Sequence, residues 1–247
     1  RLMIFKGWAA IFSGDLAQVE DYAGAALDGL DQGARAGELW STGRLLHALI
    51  AMGHQDYEAA VTLAQEALAA MPASADRWRV IALWVLAEAQ ERTRPLDEAI
   101  VTLRQAVTVG HTLGSHAFAA TIEAFWAAAL NGAGRRREAV LVCEQAADRY
   151  RTSEGQLWPL AALLAIRLGT LYTEANQLEL ARAWAEQGAV LVRQMGLDSL
   201  SELAQSAVAA VLYAEGHTGA ALALLREAST QAAPNGLAAD GWIQAVE

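Results

Sequence analysis

The stretch RPLDEAIVTLRQAV, residues 94–107, decides the fold class of this chain. Its apolar and small residues recur at intervals of three and four, which places them on one face of an α-helix. They are Leu96, Ala99, Ile100, Leu103, Ala106 and Val107. Pro95 suits the first turn, where its missing N–H is harmless. The segment that begins at Tyr57 repeats this spacing. Both segments therefore predict amphipathic helices.

Small residues recur along the whole chain with a period of about 40 residues, in three sets separated by constant spacings. The first set is Gly7, Ala48, Ala87, Ala127, Gly169 and Ala209. The second, twelve residues later, is Val19, Ala60, Ala99, Ala139, Ala181 and Ala221. The third, seven residues after that, is Ala26, Ala67, Ala106, Ala146, Gly188 and Ala228. Small side chains let two helix backbones approach closely. The sets therefore predict helix crossings repeated once per module.

Turn residues divide each module into two helices. The first helices are predicted near residues 1–13, 36–52, 75–92, 116–131, 156–175 and 199–215, and the second near 16–31, 57–71, 96–112, 136–151, 178–195 and 219–232. A further helix is predicted to begin near Ala238. The predicted fold is an all-α solenoid, a right-handed superhelix of about six helical hairpins, forming a single domain over residues 1–247. Because the chain does not begin with Met and ends abruptly, we expect it to be a piece of a longer protein.

Three short segments resemble the tetratricopeptide (TPR) signature. Leu168-Gly169-x-x-Tyr172 precedes Ala181 by the expected nine residues, and the segments 134–139 and 57–61 resemble the start of its second helix. Hairpins of about 40 residues, with the segment 191–197, resemble the sensor region of LuxR-type, MalT-like ATP-dependent transcriptional regulators. The resemblance implies a regulatory domain that receives an inducer or a partner protein. No P-loop motif and no basic recognition helix occur in this sequence.

Composition narrows the function classes. The net charge is −10 and the pI about 5.0, which argues against binding nucleic-acid phosphates directly. One cysteine excludes an internal disulfide and a cysteine-based metal site within the chain, and favours a cytoplasmic location. No apolar run reaches the roughly 18 residues of a membrane span. We therefore expect no membrane association and no cofactor in this segment.

The reactive side chains favour a non-catalytic interpretation. His111 and His116 are five residues apart, which does not match a metal pair on one helical face, so a surface loop is favoured. The positions equivalent to Cys143 in the other modules are apolar, so Cys143 is interpreted as a small core residue rather than a nucleophile. The arginine run at residues 135–137 is interpreted as a solvated turn, with contact to a phosphate or an acidic partner as the alternative. We expect no metal site and no enzymatic activity.

Aromatic residues recur near the starts of first helices: Trp40, Trp78, Phe118 and Trp158. We interpret them as packing between hairpins, with a stacked ladder for a sugar or peptide as the alternative. First helices of TPR-like solenoids line the concave surface. On these first helices, residues that lie whole helical turns from the packing positions are predicted to face the concave surface. These candidate binding residues are Trp8, Trp84, Glu88, Arg92, Asn131, Thr170, Glu174 and Tyr213.

The function predicted from these observations is a ligand- or partner-sensing domain of a MalT-like transcriptional regulator. Its ligand is expected to be a protein partner or a small-molecule inducer such as a sugar, and self-association through an apolar end is a further expectation. Two alternatives stay open: a generic TPR scaffold in a multiprotein assembly, and a helical-repeat enzyme, which would need converging acidic residues.

Overall fold

The computed structural model describes residues 6, 20–24, 37–72, 75–114, 116–196 and 198–231. Ten α-helices cover most of this part: α1 Glu38–Gly53, α2 Tyr57–Ala70, α3 Asp76–Thr93, α4 Leu96–Thr112, α5 His116–Gly132, α6 Arg136–Arg149, α7 Ala162–Glu174, α8 Leu178–Met195, α9 Asp198–Ala214 and α10 Thr218–Gln231. Its only strand-type pairing is one isolated bridge, Arg151 to Leu157. None of these helices is long and apolar enough to cross a membrane.

The helices pair as antiparallel hairpins, α1 with α2 and so on to α9 with α10. The first helix of one hairpin also contacts the first helix of the next hairpin: α5 contacts α7, and α7 contacts α9. The all-α class built of TPR-like hairpins is therefore confirmed. The chain divides into two compact units between Ser115 and His116. The single domain over residues 1–247 and the right-handed superhelix remain predictions.

The small-residue positions are buried where helices pack together. Among the described positions every alanine of the three sets is buried, with at most 2% of its surface exposed, and Gly169 and Gly188 are buried as well. A Cβ atom on Gly169 would lie 2.9 Å from the Cβ and the backbone N of Ala185. The predicted burial of the small residues is thus confirmed in five modules, and the close approach of two helices is shown in one of them, at Gly169 and Gly188. Gly7, Val19 and Ala26 lie outside the described residues.

Four hairpin turns share one conformation. The residue five positions before the second-set alanine has a positive φ: Gln55 (61°), Gly134 (76°), Asn176 (55°) and Gly216 (85°). In each turn the following N–H bonds back to a carbonyl in the last turn of the first helix, for example Arg135 N to Leu130 O at 2.8 Å. This pattern closes a helix end with a left-handed residue. The fifth turn differs because Pro95 follows Arg94 and holds it extended.

The predicted helix boundaries agree with the structure to within about two residues, with one larger difference. The helix predicted for residues 156–175 begins only at Ala162. A 3₁₀ turn, Pro159–Ala161, precedes it, and Trp158 is extended (ψ 139°). Pro159 explains this correction, because a residue before proline avoids the helical region. The predicted helices near 1–13 and 16–31 lie largely outside the described residues, and the one from Ala238 lies entirely outside them.

Candidate functional site

A surface cleft of about 670 Å³ lies between two consecutive hairpins of the second unit. One side is the turn between α5 and α6 with the first turn of α6, residues 134–138. Val140, Tyr172, Ala175 and Gln177 line the rest. The volume falls within the range of ligand sites, roughly 300–1,000 Å³. Two repeats must stack in register to form this cleft, so it is a product of the repeat architecture.

Three consecutive arginines form the rim, and two of them are paired. Nε and an Nη of Arg135 donate to the two carboxylate oxygens of Glu138 at 2.9 and 2.7 Å. Arg136 donates to the carbonyl of Glu174 at 3.3 Å and forms an ion pair with its carboxylate at 3.3 Å. The hydrogen bond from Arg135 lowers the pKa of Glu138, so this carboxylate is charged at neutral pH.

Arg137 differs from its two neighbours. Its side chain is exposed, and no hydrogen bond or ion pair connects it to any residue of the described ranges. Arg135 and Arg136 are thus paired with Glu138 and Glu174, and Arg137 is the rim guanidinium without a partner in the described ranges. Its positive charge lies on a chain whose net charge is −10.

Tyr172 forms the inner wall of the cleft. The Tyr172 side chain is buried, and its hydroxyl donates a hydrogen bond to the carboxylate of Glu144. Burial first, and this bond second, raise the pKa of Tyr172 to about 12. The ring is thus a neutral apolar surface fixed at both ends. Beside it, Asn131 Nδ2 donates to Glu174 Oε2 at 3.0 Å and joins the two hairpins.

The structure brings together two of the predicted binding residues, Asn131 and Glu174, next to this cleft. Thr170 is one turn earlier on α7, and its hydroxyl donates to the Ile166 carbonyl of the same helix at 3.2 Å. Tyr213 on α9 is 48% exposed. Whether any of these residues binds a ligand remains a prediction.

The other predicted binding residues belong to the first unit or lie outside the described residues. Trp84 is partly buried and packs against the core of the first unit. Glu88, one turn later, is half-buried, and Arg92 is exposed with its guanidinium 5.7 Å from the centre of the Tyr57 ring. Trp8 lies outside the described residues. Since Trp84, Glu88 and Arg92 lie on the single helix α3, they form a line rather than a cluster.

The recurring aromatic residues have different surroundings in the two units. Trp78 packs against the core, and its Nε1 donates to Glu38 Oε1 of the preceding hairpin at 3.0 Å. This contact is the packing role that we predicted. In the second unit, Phe118 and Trp158 are 37% and 38% exposed, and the Trp158 ring lies edge-on to His116 at 5.9 Å. No continuous ladder can therefore be assigned from these contacts.

Cys143 lies in the core as the sequence predicts, whereas the two histidines do not lie in a loop. Cys143 is fully buried, and burial raises the pKa of its thiol to about 12, so its interpretation as a core residue is confirmed. His111 and His116 are both exposed, but they lie in the last turn of α4 and at the first residue of α5 rather than in the loop that the sequence favours. Within the described ranges no three potential metal ligands converge. Burial lowers the pKa of the half-buried His47.

Sequence reasoning missed the cleft itself. The sequence favours a solvated turn for the arginine run and indicates only a repeat-signature position for Tyr172. The available signal was the position of the run directly after Gly134, at the hairpin turn, with a glutamate 38 residues beyond Arg136, about one repeat away. No sequence signal indicates a second ion pair: the buried Glu123 accepts from the partly exposed Arg149 at 2.5 Å and from the Tyr150 hydroxyl at 2.9 Å.

Solved structures with the same fold are distant in sequence. BtubC (BKLC) from P. vanneervenii is 17% identical with a TM-score of 0.59, and the match covers 93% of this chain and 89% of that one. A Rap protein complexed with competence and sporulation factor is 13% identical with a TM-score of 0.65, covering 93% and 67%. At these identities the likeness shows the fold alone.

A third similar structure is the signal transduction ATPase with numerous domains (STAND) protein with a tetratricopeptide repeat sensor, PH0952 from Pyrococcus horikoshii. It is 14% identical with a TM-score of 0.63, and the match covers 93% of this chain but only 33% of that protein. No curated protein matches the sequence closely. The family model of the MalT-like TPR region matches residues 43–247. Because this match spans most of the sequence, the chain belongs to the MalT-like TPR region family.

Proposed function

We propose that this chain is the partner- or ligand-sensing domain of a MalT-like transcriptional regulator, and that the segment itself carries out no catalysis and holds no cofactor. The family match over residues 43–247 is the observation that carries this proposal. The cleft supports it, because two stacked hairpins bring an arginine rim and an apolar wall together at one surface. The STAND protein supports it as well, since its repeat region is described as a sensor.

If this chain is part of a MalT-like regulator, the complete gene must encode two further modules. A MalT-like regulator needs a P-loop ATPase module upstream of this segment and a helix-turn-helix downstream of it. Sequencing the complete gene tests this. Both modules in one reading frame would support the proposal. A gene without them would contradict it and would favour the generic TPR scaffold.

The sensing role is tested by the melting temperature of the 247-residue chain. A ligand that binds only the native state raises this temperature, with about 2.7 kcal/mol of stabilisation at a hundredfold excess over Kd. The chain would be screened against oligosaccharides, metabolites and peptides. We expect a saturable shift with one ligand class. No shift with any small molecule would exclude the sugar-inducer proposal and favour a protein partner in the cytoplasm.

A further inference from the structure

The geometry points to the cleft at residues 134–138 as a docking site for an extended peptide segment of a protein partner, with one aspartate or glutamate carboxylate bound at Arg137 and an apolar neighbour packed on Tyr172. This inference rests on the proposed function, because it names the chemical class of the sensed partner. It does not depend on the regulator context.

The position of Arg137 is unfavourable for the stability of the helix on which it lies. Arg136 and Arg137 occupy the first turn of α6, where the helix dipole is positive and favours acidic side chains. Arg136 has a partner in Glu174. Arg137 has none within the described ranges. A side chain that weakens its own helix without a compensating contact is the kind of exception that functional sites contain.

The charge at the rim favours a carboxylate over a phosphate. Arg137 presents one positive charge that no residue of the described ranges pairs. A carboxylate carries one negative charge and fits the planar guanidinium with two parallel hydrogen bonds. A phosphoryl group carries about −1.5 to −2, so it would leave negative charge uncompensated.

The open form of the cleft favours a peptide segment over a free small molecule. Six of its nine lining residues are exposed. Small-molecule sites usually bury about 70–90% of the ligand surface. The exposed walls of this cleft would bury a smaller share. A segment that continues beyond the cleft gains further contacts on either side. Val140, Tyr172 and Ala175 supply an apolar surface for the residue next to the carboxylate.

The experiment is affinity selection on the immobilised 247-residue chain. The probes are three pools of capped hexapeptides: one aspartate flanked by apolar residues, asparagine in its place, and phosphoserine in its place. The variant is Arg137→Ala, and the matched control is Arg104→Ala, which removes an equal charge from an exposed position on α4. Replacing Arg137 by alanine favours the helix, so a loss of binding would not reflect unfolding.

We expect the wild-type chain to retain the aspartate pool about two- to fivefold better than the asparagine pool, the range that an exposed charged contact gives. Arg137→Ala should lose this preference, Arg104→Ala should keep it, and added salt should weaken it. The inference is overturned by equal retention of the two pools, by an equal loss in both variants, or by stronger retention of phosphoserine. Complete displacement by free phenylacetate would assign the site to small carboxylic acids instead. None of these failures would affect the gene-context or melting tests of the proposed function.

Discussion

Adding one methyl group at the α7–α8 crossing should destabilise the protein, although the same change usually stabilises a helix. A Cβ atom on Gly169 would lie 2.9 Å from the Cβ and N of Ala185 and 3.0 Å from its Cα. A Cβ atom on Gly188 would lie 2.7 Å from Ile166 Cγ1 and 3.0 Å from its backbone N. Favourable carbon contacts need about 3.5–4.0 Å. Because several of these atoms belong to the backbone, the two helices must move apart.

The size of the effect follows from two opposing contributions. Replacing a helical glycine by alanine favours the helix by about 1 kcal/mol. Overpacking a buried contact costs about 1–3 kcal/mol, and the backbone contacts at Gly169 place it near the upper limit. Gly169→Ala should therefore lower the free energy of unfolding by about 2 kcal/mol. The double variant with Gly188→Ala should cost less than the sum of the two single changes, since one separation of the helices relieves both contacts.

Gly219 provides the matched control, because it lies in helix α10 and a Cβ atom there would meet nothing within 4 Å. Gly219→Ala should leave stability unchanged or raise it by up to about 1 kcal/mol. Both variants would be unfolded with urea and heat and followed by circular dichroism. For Gly169→Ala we expect a melting temperature lower by about 4–8 °C. If Gly169→Ala were as stable as Gly219→Ala, the close-packing argument would be refuted.

Three further predictions concern buried polar groups. Glu123→Ala should cost about 1–2 kcal/mol, because the buried Tyr150 hydroxyl loses its acceptor, while Arg149 is 43% exposed and can be solvated by water; Glu123→Gln, whose amide oxygen can still accept, should cost about half as much in urea unfolding, and equal costs would contradict this. The thiol of Cys143 should react with a maleimide roughly a hundredfold more slowly in the native than in the urea-unfolded chain, and equal rates would show that it is accessible. Burial lowers the pKa of His47 below its usual 6.5, so the unfolded chain binds a proton at this histidine more tightly than the native chain does. Stability should therefore fall as the pH drops below about 6.5, and His47→Gln should reduce that fall. An unchanged pH profile of stability in this variant would contradict the prediction.

The sequence predicted the fold well because its signals are local and repeated. Ala48, Ala60 and Ala67 share a spacing with their equivalents in the other modules, and that spacing alone indicates where helices cross. The failure at residues 156–161 also has a local cause, because Pro159 directs the preceding residue away from the helix. Apolar residues around it had suggested a continuous helix.

The candidate site was harder to predict because it depends on which hairpins meet and on how charges pair. Counting turns along first helices identified Asn131 and Glu174 but gave no indication that Arg136 reaches Glu174. The partner of an exposed arginine depends on three-dimensional neighbours, as for Arg135 with Glu138. The isolation of Arg137 becomes visible only after these pairs are known.

The central claim is that each module of about 40 residues packs through its small residues, and a leucine scan tests it most directly. Leucine would replace the second-set alanines Ala60, Ala99, Ala139, Ala181 and Ala221, all fully buried. The controls lie two residues later at exposed positions: Thr62, Val101, Ala183 and Ala223. Urea unfolding should show a loss of at least about 2 kcal/mol at every alanine of the set and changes within about 0.5 kcal/mol at the controls. Equal effects at the two groups of positions would contradict the repeat packing on which the proposed binding cleft depends.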